Sequence, residues 1–340
     1  MMRLPSFRYL APASVAEAVG MLASEGPGAA VVAGGTDLYP NMKRRHQTPG
    51  VLVALRRVAE LRGVTETSDG TLRLGPAATL SSLERDPVLR GRHPALWTAV
   101  RSISTPLLRN MGTIGGNLLL DTRCNYYNQS HEWRRAINFC LKCEGDTCWV
   151  APSSDRCWAV NSSDTAPVLI ALGARVRLAG SRGVREIDLE SLYRQDGIAW
   201  LAKEPDEVLT DIVVPAPGAA RSHYGKLRRR GAFDFPVLGV ATRVTFDGDR
   251  VNSARIVLNG VGSAPFRATA AEALLVGERL EEEVIRAAAD LAYRPAKPLD
   301  NTDLEYSYRK KMVRVYVREG LLAVGRSRRG CPPATDRVPP

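Results

Sequence analysis

Arg109-Asn110-Met111-Gly112-Thr113-Ile114-Gly115-Gly116-Asn117-Leu118 is the stretch on which the reading of this chain turns. Within ten residues it holds three glycines, a threonine and two asparagines, and apolar Leu119 and Leu120 follow it. Glycines let backbone N–H groups come close to a bound group, and a cradle of N–H groups suits a phosphate. An earlier stretch, Ala33-Gly34-Gly35-Thr36-Asp37-Leu38, offers the same chemistry with an added hydroxyl and follows a short apolar strand, Ala29 to Ala33. Neither stretch has the Rossmann G-x-G-x-x-G spacing or the lysine of a P-loop. Taken alone, a Gly-Gly turn is weak evidence, because a tight structural turn uses the same residues.

Working outward, Ser14-x-x-Glu17 is a capping box that opens a helix through about Leu22, with Ala18, Val19 and Leu22 on one face. Val51 to Leu55 reads as a second apolar strand beyond the basic segment Lys43-Arg44-Arg45-His46, and these elements make a small α/β unit. From Thr71 the pattern changes to short alternating elements: Leu72 and Leu74 alternate as on a strand, and Ala95 to Ser102 reads as a helix. Asp164 is placed to cap a helix, Ala166 to Leu172, which ends at Gly173 before a strand, Arg175 to Leu178. Pro215-Ala216-Pro217 marks a linker. Beyond it, Tyr224 to Arg228, Leu238 to Phe246 and Val251 to Leu258 read as antiparallel strands, the last two joined by the turn Asp247-Gly248-Asp249. Helices Glu281 to Ala292 and Glu305 to Leu322 finish the pattern, and Tyr308, Met312 and Val315 form the expected core stripe of the second.

Length and composition set the bounds. The 340 residues suffice for two or three cores, and 44% hydrophobic with 24% charged residues is the balance of a soluble globular protein. No apolar run is long enough to span a bilayer, and Met1 to Gly20 does not read as a signal peptide, so no membrane role and a cytoplasmic location are expected. The net charge is +11, but the basic residues are spread along the chain without a recognition helix, aromatic RNA-binding strand or zinc-finger pattern. A solvated basic surface, or one facing an acidic partner subunit, is expected rather than nucleic-acid binding. The tail Arg326 to Pro340 has a disordered composition. Of six cysteines, five fall between Cys124 and Cys157, and only Cys331 stands apart. Such clustering in a cytosolic chain points to metal rather than to disulfides.

The pair AGGTDL and RNMGTIGGNL, at this separation, resembles the FAD-binding subunit or domain of the xanthine dehydrogenase and molybdenum hydroxylase family. Ser163-Asp164-Thr165-Ala166-Pro167-Val168-Leu169 is similar to that family's S-D-x-x-P-x-L segment. Tyr224-Gly225-Lys226-Leu227-Arg228-Arg229-Arg230 with Gly239-Val240-Ala241 is similar to the start of its C-terminal domain. The resemblance covers roughly residues 3 to 325. It implies an α+β fold: a two-part FAD-binding domain of the PCMH/VAO type at 1–217, then a small C-terminal domain of antiparallel sheet plus helices at 218–325, like that of CO dehydrogenase flavoproteins. It also implies the site. Val31, Val32, Ala33, Gly34, Gly35, Thr36, Asp37 and Leu38, with Thr113, Ile114, Gly115, Gly116, Asn117 and Leu118, would bind the FAD pyrophosphate and neighbouring groups. Asp164 would accept hydrogen bonds from ribityl or ribose hydroxyls, and Lys226 would lie near the isoalloxazine. The residues by themselves also allow Asp164 as a plain N-cap and Lys226 as a solvated lysine.

Family members ordinarily connect the second loop to the S-D-x-x-P segment briefly, whereas this chain inserts residues 121–160. Cys124, Cys140, Cys148 and Cys157, spaced C-x15-C-x7-C-x8-C, resemble the inserted cluster loop in the flavin subunits of 4-hydroxybenzoyl-CoA reductases, which implies a [4Fe–4S] cluster and leaves Cys143 spare. The flanking Cys124-Asn125-Tyr126-Tyr127-Asn128-Gln129-Ser130 and Gly145-Asp146-Thr147-Cys148 share the likeness. A rival set, Cys140, Cys143, Cys148 and Cys157, opens with C-x2-C and suits a structural zinc ion, but it leaves Cys124 unexplained. His131, without a partner at metal spacing, is expected to be a surface or satisfied residue.

No catalytic dyad, nucleophile elbow or zincin pattern is visible, so the chain carries no complete active site. The resemblance implies an oxidoreductase subunit that passes electrons from a [4Fe–4S] cluster through FAD toward a small [2Fe–2S] subunit and a large molybdopterin subunit. Ferredoxin is the expected donor, and 4-hydroxybenzoyl-CoA would be dehydroxylated to benzoyl-CoA. Two alternatives stay open: a hydroxylase of the same family running electrons outward, and a zinc-binding assembly protein without flavin.

Overall fold

The apolar runs near the start of the chain are too short to bury a face alone, and they pair in parallel. A computed structural model describes residues 3–326. Strands β1 (Arg8–Leu10), β2 (Ala29–Val32) and β3 (Val51–Ala54) form a parallel sheet in the order β1-β3-β2. The helix Val15–Glu25 crosses from β1 to β2 and buries Ala18 and Leu22 with Val51 and Val53. Its start is capped as expected: Ser14 Oγ accepts from the Glu17 amide at 3.1 Å, while the Glu17 carboxylate accepts from the Ala13 amide at 2.8 Å. β1 has no apolar alternation to announce it, since an edge strand needs only its backbone to join β3.

Five antiparallel strands form the second sheet, in the order β4-β5-β8-β6-β7: β4 (Val64–Glu66), β5 (Leu72–Leu74), β6 (Arg175–Gly180), β7 (Gly183–Asp188) and β8 (Val208–Val214). Its buried leucines join helices Pro94–Ser102 and Thr165–Leu172 in the largest core. The insertion expected at 121–160 leaves and rejoins this body at one point. Arg123 and Val160 exchange backbone hydrogen bonds of 2.9 and 2.8 Å, closing the segment at its base.

The third sheet is β12-β11-β10-β9, antiparallel throughout, with β9 (Arg221–Leu227), β10 (Leu238–Asp247), β11 (Arg250–Asn259) and β12 (Phe266–Arg267). Successive side chains of a strand point to opposite faces. Val240 and Val244 therefore join a core with helices Glu282–Tyr293 and Tyr306–Arg326, while Ala241 and Val257 face the other core and helix Thr165–Leu172. That helix is buried at every residue, which explains why it is apolar all round.

One expected core stripe is corrected. On helix Tyr306–Arg326, Tyr308 and Val315 are exposed and Met312 is only partly buried. The buried line is Arg309, Val313, Val317, Leu321 and Val324, with Gly320 beside it. Both lines have helical spacing, and the sheet selects the one with the glycine. A Cβ at Gly320 would stand 2.5 Å from Thr242 Oγ1 of β10, so only glycine allows this approach. Arg309 is tolerated inside because its guanidinium donates to the carbonyls of Val237, Leu299 and Gly260 at 3.2, 2.9 and 2.6 Å. Gly320→Val is expected to destabilise the fold by about 1–3 kcal/mol through overpacking, read as a lower urea midpoint with unchanged m. Among the described residues no helix is long and apolar enough to cross a membrane. The tail expected at 326–340 lies outside the described residues apart from Arg326, as does Cys331.

Candidate functional site: two glycine loops and a cysteine cavity

The two glycine loops, far apart in sequence, meet backbone to backbone. A Cβ on Gly34 would stand 1.9 Å from the Met111 carbonyl oxygen and 3.1 Å from Gly112 Cα. Gly35 adopts φ +72°, which favours glycine, and turns the chain into helix Leu38–Lys43. The amides of Gly35, Thr36 and Asp37 have no protein acceptor among the described residues. Such an unmatched N–H row fits a pyrophosphate. Val31 and Val32 lie in β2 behind this loop, Val32 packing on Met42 and Leu52.

The second loop is divided. Thr113 caps helix Ile114–Leu118 by accepting from the Gly116 amide at 3.1 Å. Ile114 and Leu118 point into the main core, and the Gly115 amide is taken by the Pro76 carbonyl at 2.9 Å. Asn117 Oδ1 accepts from Ser163 Oγ at 2.9 Å and from the Thr165 amide at 3.1 Å, joining the loop to the S-D-x-x-P segment. Gly112 faces the first loop but is itself engaged, its amide donating to the Leu108 carbonyl at 2.8 Å and its carbonyl accepting from the Leu80 amide at 2.9 Å, so this loop acts chiefly to hold the first one in place.

Asp164 is not a plain cap, for its side chain makes no capping bond. Ser163 Oγ instead accepts from the Ala166 amide at 3.0 Å. The Asp164 carboxylate accepts from Lys226 Nζ at 3.0 Å and Tyr224 OH at 2.8 Å, and Lys226 also donates to the Ser102 carbonyl at 2.8 Å. The Lys226 and Asp164 side chains are 6% and 4% exposed, so Lys226 is no solvated lysine either. The structure brings the two together as a buried pair across the join between the second and third sheets.

Sequence reading missed several residues beside the loops. Arg123 lies between Asp37, at 3.7 Å, and the Phe235 ring, with its guanidinium 3.9 Å from the ring centroid. Burial is the larger influence on Asp37 and raises its carboxyl above the usual range, against the lowering effect of Arg123. No spacing rule connects positions 37, 123 and 235.

Cys124, Cys140, Cys148 and Cys157 all line one cavity, together with Tyr127 and Lys142. Cys143 does not. Its sulfur accepts an N–H from Arg134 at 2.7 Å, and that fully buried guanidinium also donates to the carbonyls of Arg44 and Arg45 at 3.1 and 3.0 Å. Burial pushes the Cys124 thiol up to about 12 and the Cys157 thiol up to about 11. Thiolates there need a bound positive centre. Among the described residues no three His, Cys, Asp or Glu side chains converge on one metal ion. His131 begins helix His131–Ala136 and packs edge-on against Phe139, a satisfied residue as expected.

His46 ties the first loop to this segment. Its Nε2 lies 3.0 Å from the Gln129 carbonyl, and its ring stacks on Tyr127. Burial lowers its pKa to about 4. The folded state therefore holds His46 neutral while the unfolded chain binds a proton below about pH 6.5. The resulting stabilisation is complete above pH 6.5 and is lost as the pH falls toward about 4. His46→Gln is expected to flatten the dependence of the urea midpoint on pH in this window.

Fold and paired glycine loops together define a FAD-binding domain followed by a small α+β domain. Residues 5–217 match the family described as the FAD binding domain in molybdopterin dehydrogenase, and residues 222–324 match the CO dehydrogenase flavoprotein C-terminal domain. The chain belongs to the FAD-binding subunits of the xanthine dehydrogenase and CO dehydrogenase molybdenum hydroxylase family. It is 31% identical over 318 residues to the carbon monoxide dehydrogenase medium chain of Afipia carboxidovorans, covering 93% of this chain and 96% of that one. It is 26% identical over 324 residues to the nicotine 6-hydroxylase medium subunit of Paenarthrobacter nicotinovorans, covering 95% and 99%. A solved structure of carbon monoxide dehydrogenase from Hydrogenophaga pseudoflava superposes with a TM-score of 0.78 at 30% identity, covering 95% of this chain and 98% of that chain.

Proposed function

We propose that this chain is the FAD and iron–sulfur subunit of a molybdenum-containing reductase acting on 4-hydroxybenzoyl-CoA, with partner subunits carrying molybdopterin and [2Fe–2S] clusters and ferredoxin as donor. Its FAD-binding domain is taken as 1–217, with the cluster insertion at 121–160, and its C-terminal domain as 218–325. The observation that carries this reading is the enclosure of Cys124, Cys140, Cys148 and Cys157 around one cavity while Cys143 is engaged elsewhere. Those four side chains would ligate a [4Fe–4S] cluster, and the Gly34–Asp37 amides with Thr113 would hold the FAD pyrophosphate. Bound there, FAD exchanges electrons in twos or singly and the cluster exchanges them singly.

The chain's own residues supply placement. Asp164, already fixed by Tyr224 and Lys226, would meet flavin hydroxyls, and Lys226 would bring positive charge toward the ring. Arg134 joins the cysteine segment to the backbone after helix Leu38–Lys43, holding the two sites at a fixed separation. A second reading, an outward-running hydroxylase of the same family, is supported by the medium chains of carbon monoxide dehydrogenase and nicotine 6-hydroxylase among the relatives.

Purification of the complex from its native host decides between them. The reductase reading requires about four irons on this chain beyond those of the partner, together with formation of benzoyl-CoA from 4-hydroxybenzoyl-CoA under a low-potential donor. Oxidation of a substrate with electrons delivered outward, and no benzoyl-CoA formed, would establish the hydroxylase instead.

A further inference from the structure

Lys142 stands between two cysteines in sequence, yet its side chain is only 6% exposed. It lines the cavity together with Cys124, Cys140, Cys148 and Cys157. Its Nζ pairs with Asp121 Oδ1 at 2.6 Å, and Asp121 is buried to the same degree. The ammonium also donates to the carbonyls of Gly197 and Thr122, at 2.8 and 3.3 Å, and the rings of Tyr127 and Trp200 flank it with centroids at 4.7 and 4.9 Å. A buried ion pair is a poor device for stability alone, because desolvation consumes most of what the attraction returns.

The orientation of the pair points to a different use. Asp121 is not part of the cavity lining. It lies on the glycine-loop side, just beyond helix Ile114–Leu118, where it accepts from Gln47 Nε2 at 3.0 Å and Tyr127 OH at 3.2 Å. Lys142 thus belongs to the cavity wall, while the carboxylate that holds its ammonium stands outside that wall. Arg134, the other buried cation of the segment, does not line the cavity and is aimed at Cys143 and two carbonyls.

We propose that Lys142 is a positioning residue that sets the reduction potential of the cluster held in the cysteine cavity, its ammonium favouring the reduced state, with Asp121 as the fixed counter-charge. This rests on the reading of the cavity as a cluster site. Reduction adds one electron from a low-potential one-electron donor, makes and breaks no bond, and takes up no proton at these residues. It leaves one more negative charge on the cluster and its thiolates. A fixed cation in a water-poor site stabilises that charge far better than one in solvent.

The test is a potentiometric titration of the anaerobically purified full chain, with dithionite as reductant and the reduced cluster followed by electron paramagnetic resonance. Lys142→Met is expected to lower the ratio of reduced to oxidised cluster at a fixed potential about tenfold, a shift of about 59 mV for a one-electron couple. Lys142→Arg, which keeps the charge, should stay near the wild type. Asp121→Asn should shift the midpoint upward. A structural role would not move the two neutralising variants in opposite directions. Unchanged midpoints in both would overturn the proposal and leave the cluster reading standing. A wild-type chain without iron, sulfide or a reduced-cluster signal would overturn the cluster reading and this proposal with it. Should Lys142→Met lose its cluster during purification, the sign of the Asp121→Asn shift decides.

Discussion

On the proposed cluster reading, Cys124→Ser is expected to lose most of the chain's iron while keeping its flavin, and Cys143→Ser is expected to keep both. Cys124 stands outside the C-x2-C pair that first draws the eye, yet its sulfur lines the cavity and Cys143's does not. Cys124 is fixed there by local backbone bonds: its amide donates to Asn128 Oδ1 at 2.9 Å and its carbonyl accepts from the Tyr127 and Asn128 amides. A serine would place a hard, weakly acidic hydroxyl where a soft thiolate is needed, so one iron of the proposed cluster would lose its protein ligand. The flavin loops lie outside the segment, which is closed at its base by the Arg123–Val160 pairing, so flavin content should not follow the iron. Iron and flavin analysis of the two variants, side by side, checks this. Iron retained in Cys124→Ser and lost in Cys143→Ser would exchange the ligand sets.

Gly34→Val should empty the flavin site, lowering the flavin content of the purified protein at least about tenfold, the equivalent of about 1.4 kcal/mol of binding. The added Cβ would occupy the position of the Met111 carbonyl, 1.9 Å away, so one loop must leave the other. Neither can do so cheaply. The first loop continues β2, and the second is tied back by Leu80 N to Gly112 O at 2.9 Å and Gly115 N to Pro76 O at 2.9 Å. Gly20→Ala is the matched control, because Gly20 lies in helix Val15–Glu25, away from both loops, and a Cβ there meets nothing within 4 Å. Absorbance of the released flavin, with urea unfolding to show that both variants remain folded, gives the result. Full flavin content in Gly34→Val would mean that the junction of the loops is not the pyrophosphate site.

Much of this was legible before any coordinates. The strands β2, β3, β10 and β11 are apolar runs bounded by turn residues, and local patterning suffices for such elements. The cap at Ser14, the αL stop at Gly173 and the turn at Gly248 are chemistry within four residues of chain, which is why the sequence shows them. The core stripe of helix Tyr306–Arg326 was misread because two lines share helical spacing. The choice between them was made by Thr242 on a strand more than sixty residues earlier, which accepts only a glycine. The alternative of Asp164 as a plain cap fails for a related reason. The amides it could have capped are satisfied by Ser163 and Asn117, and its own partners, Tyr224 and Lys226, lie on β9, sixty residues away.

The sequence by itself determined the composition of the site: glycine at the two loops, and cysteines confined to one inserted segment. These are single-residue requirements, since only glycine lets backbone approach backbone and only sulfur offers a soft ligand. The tertiary structure alone decided which groups share a space. It put Gly34 against Met111, gathered four cysteines around one cavity and turned a fifth toward Arg134, and paired the cavity's Lys142 with Asp121. Those relations depend on burial and on contacts between distant segments, where desolvation makes each charge find its partner.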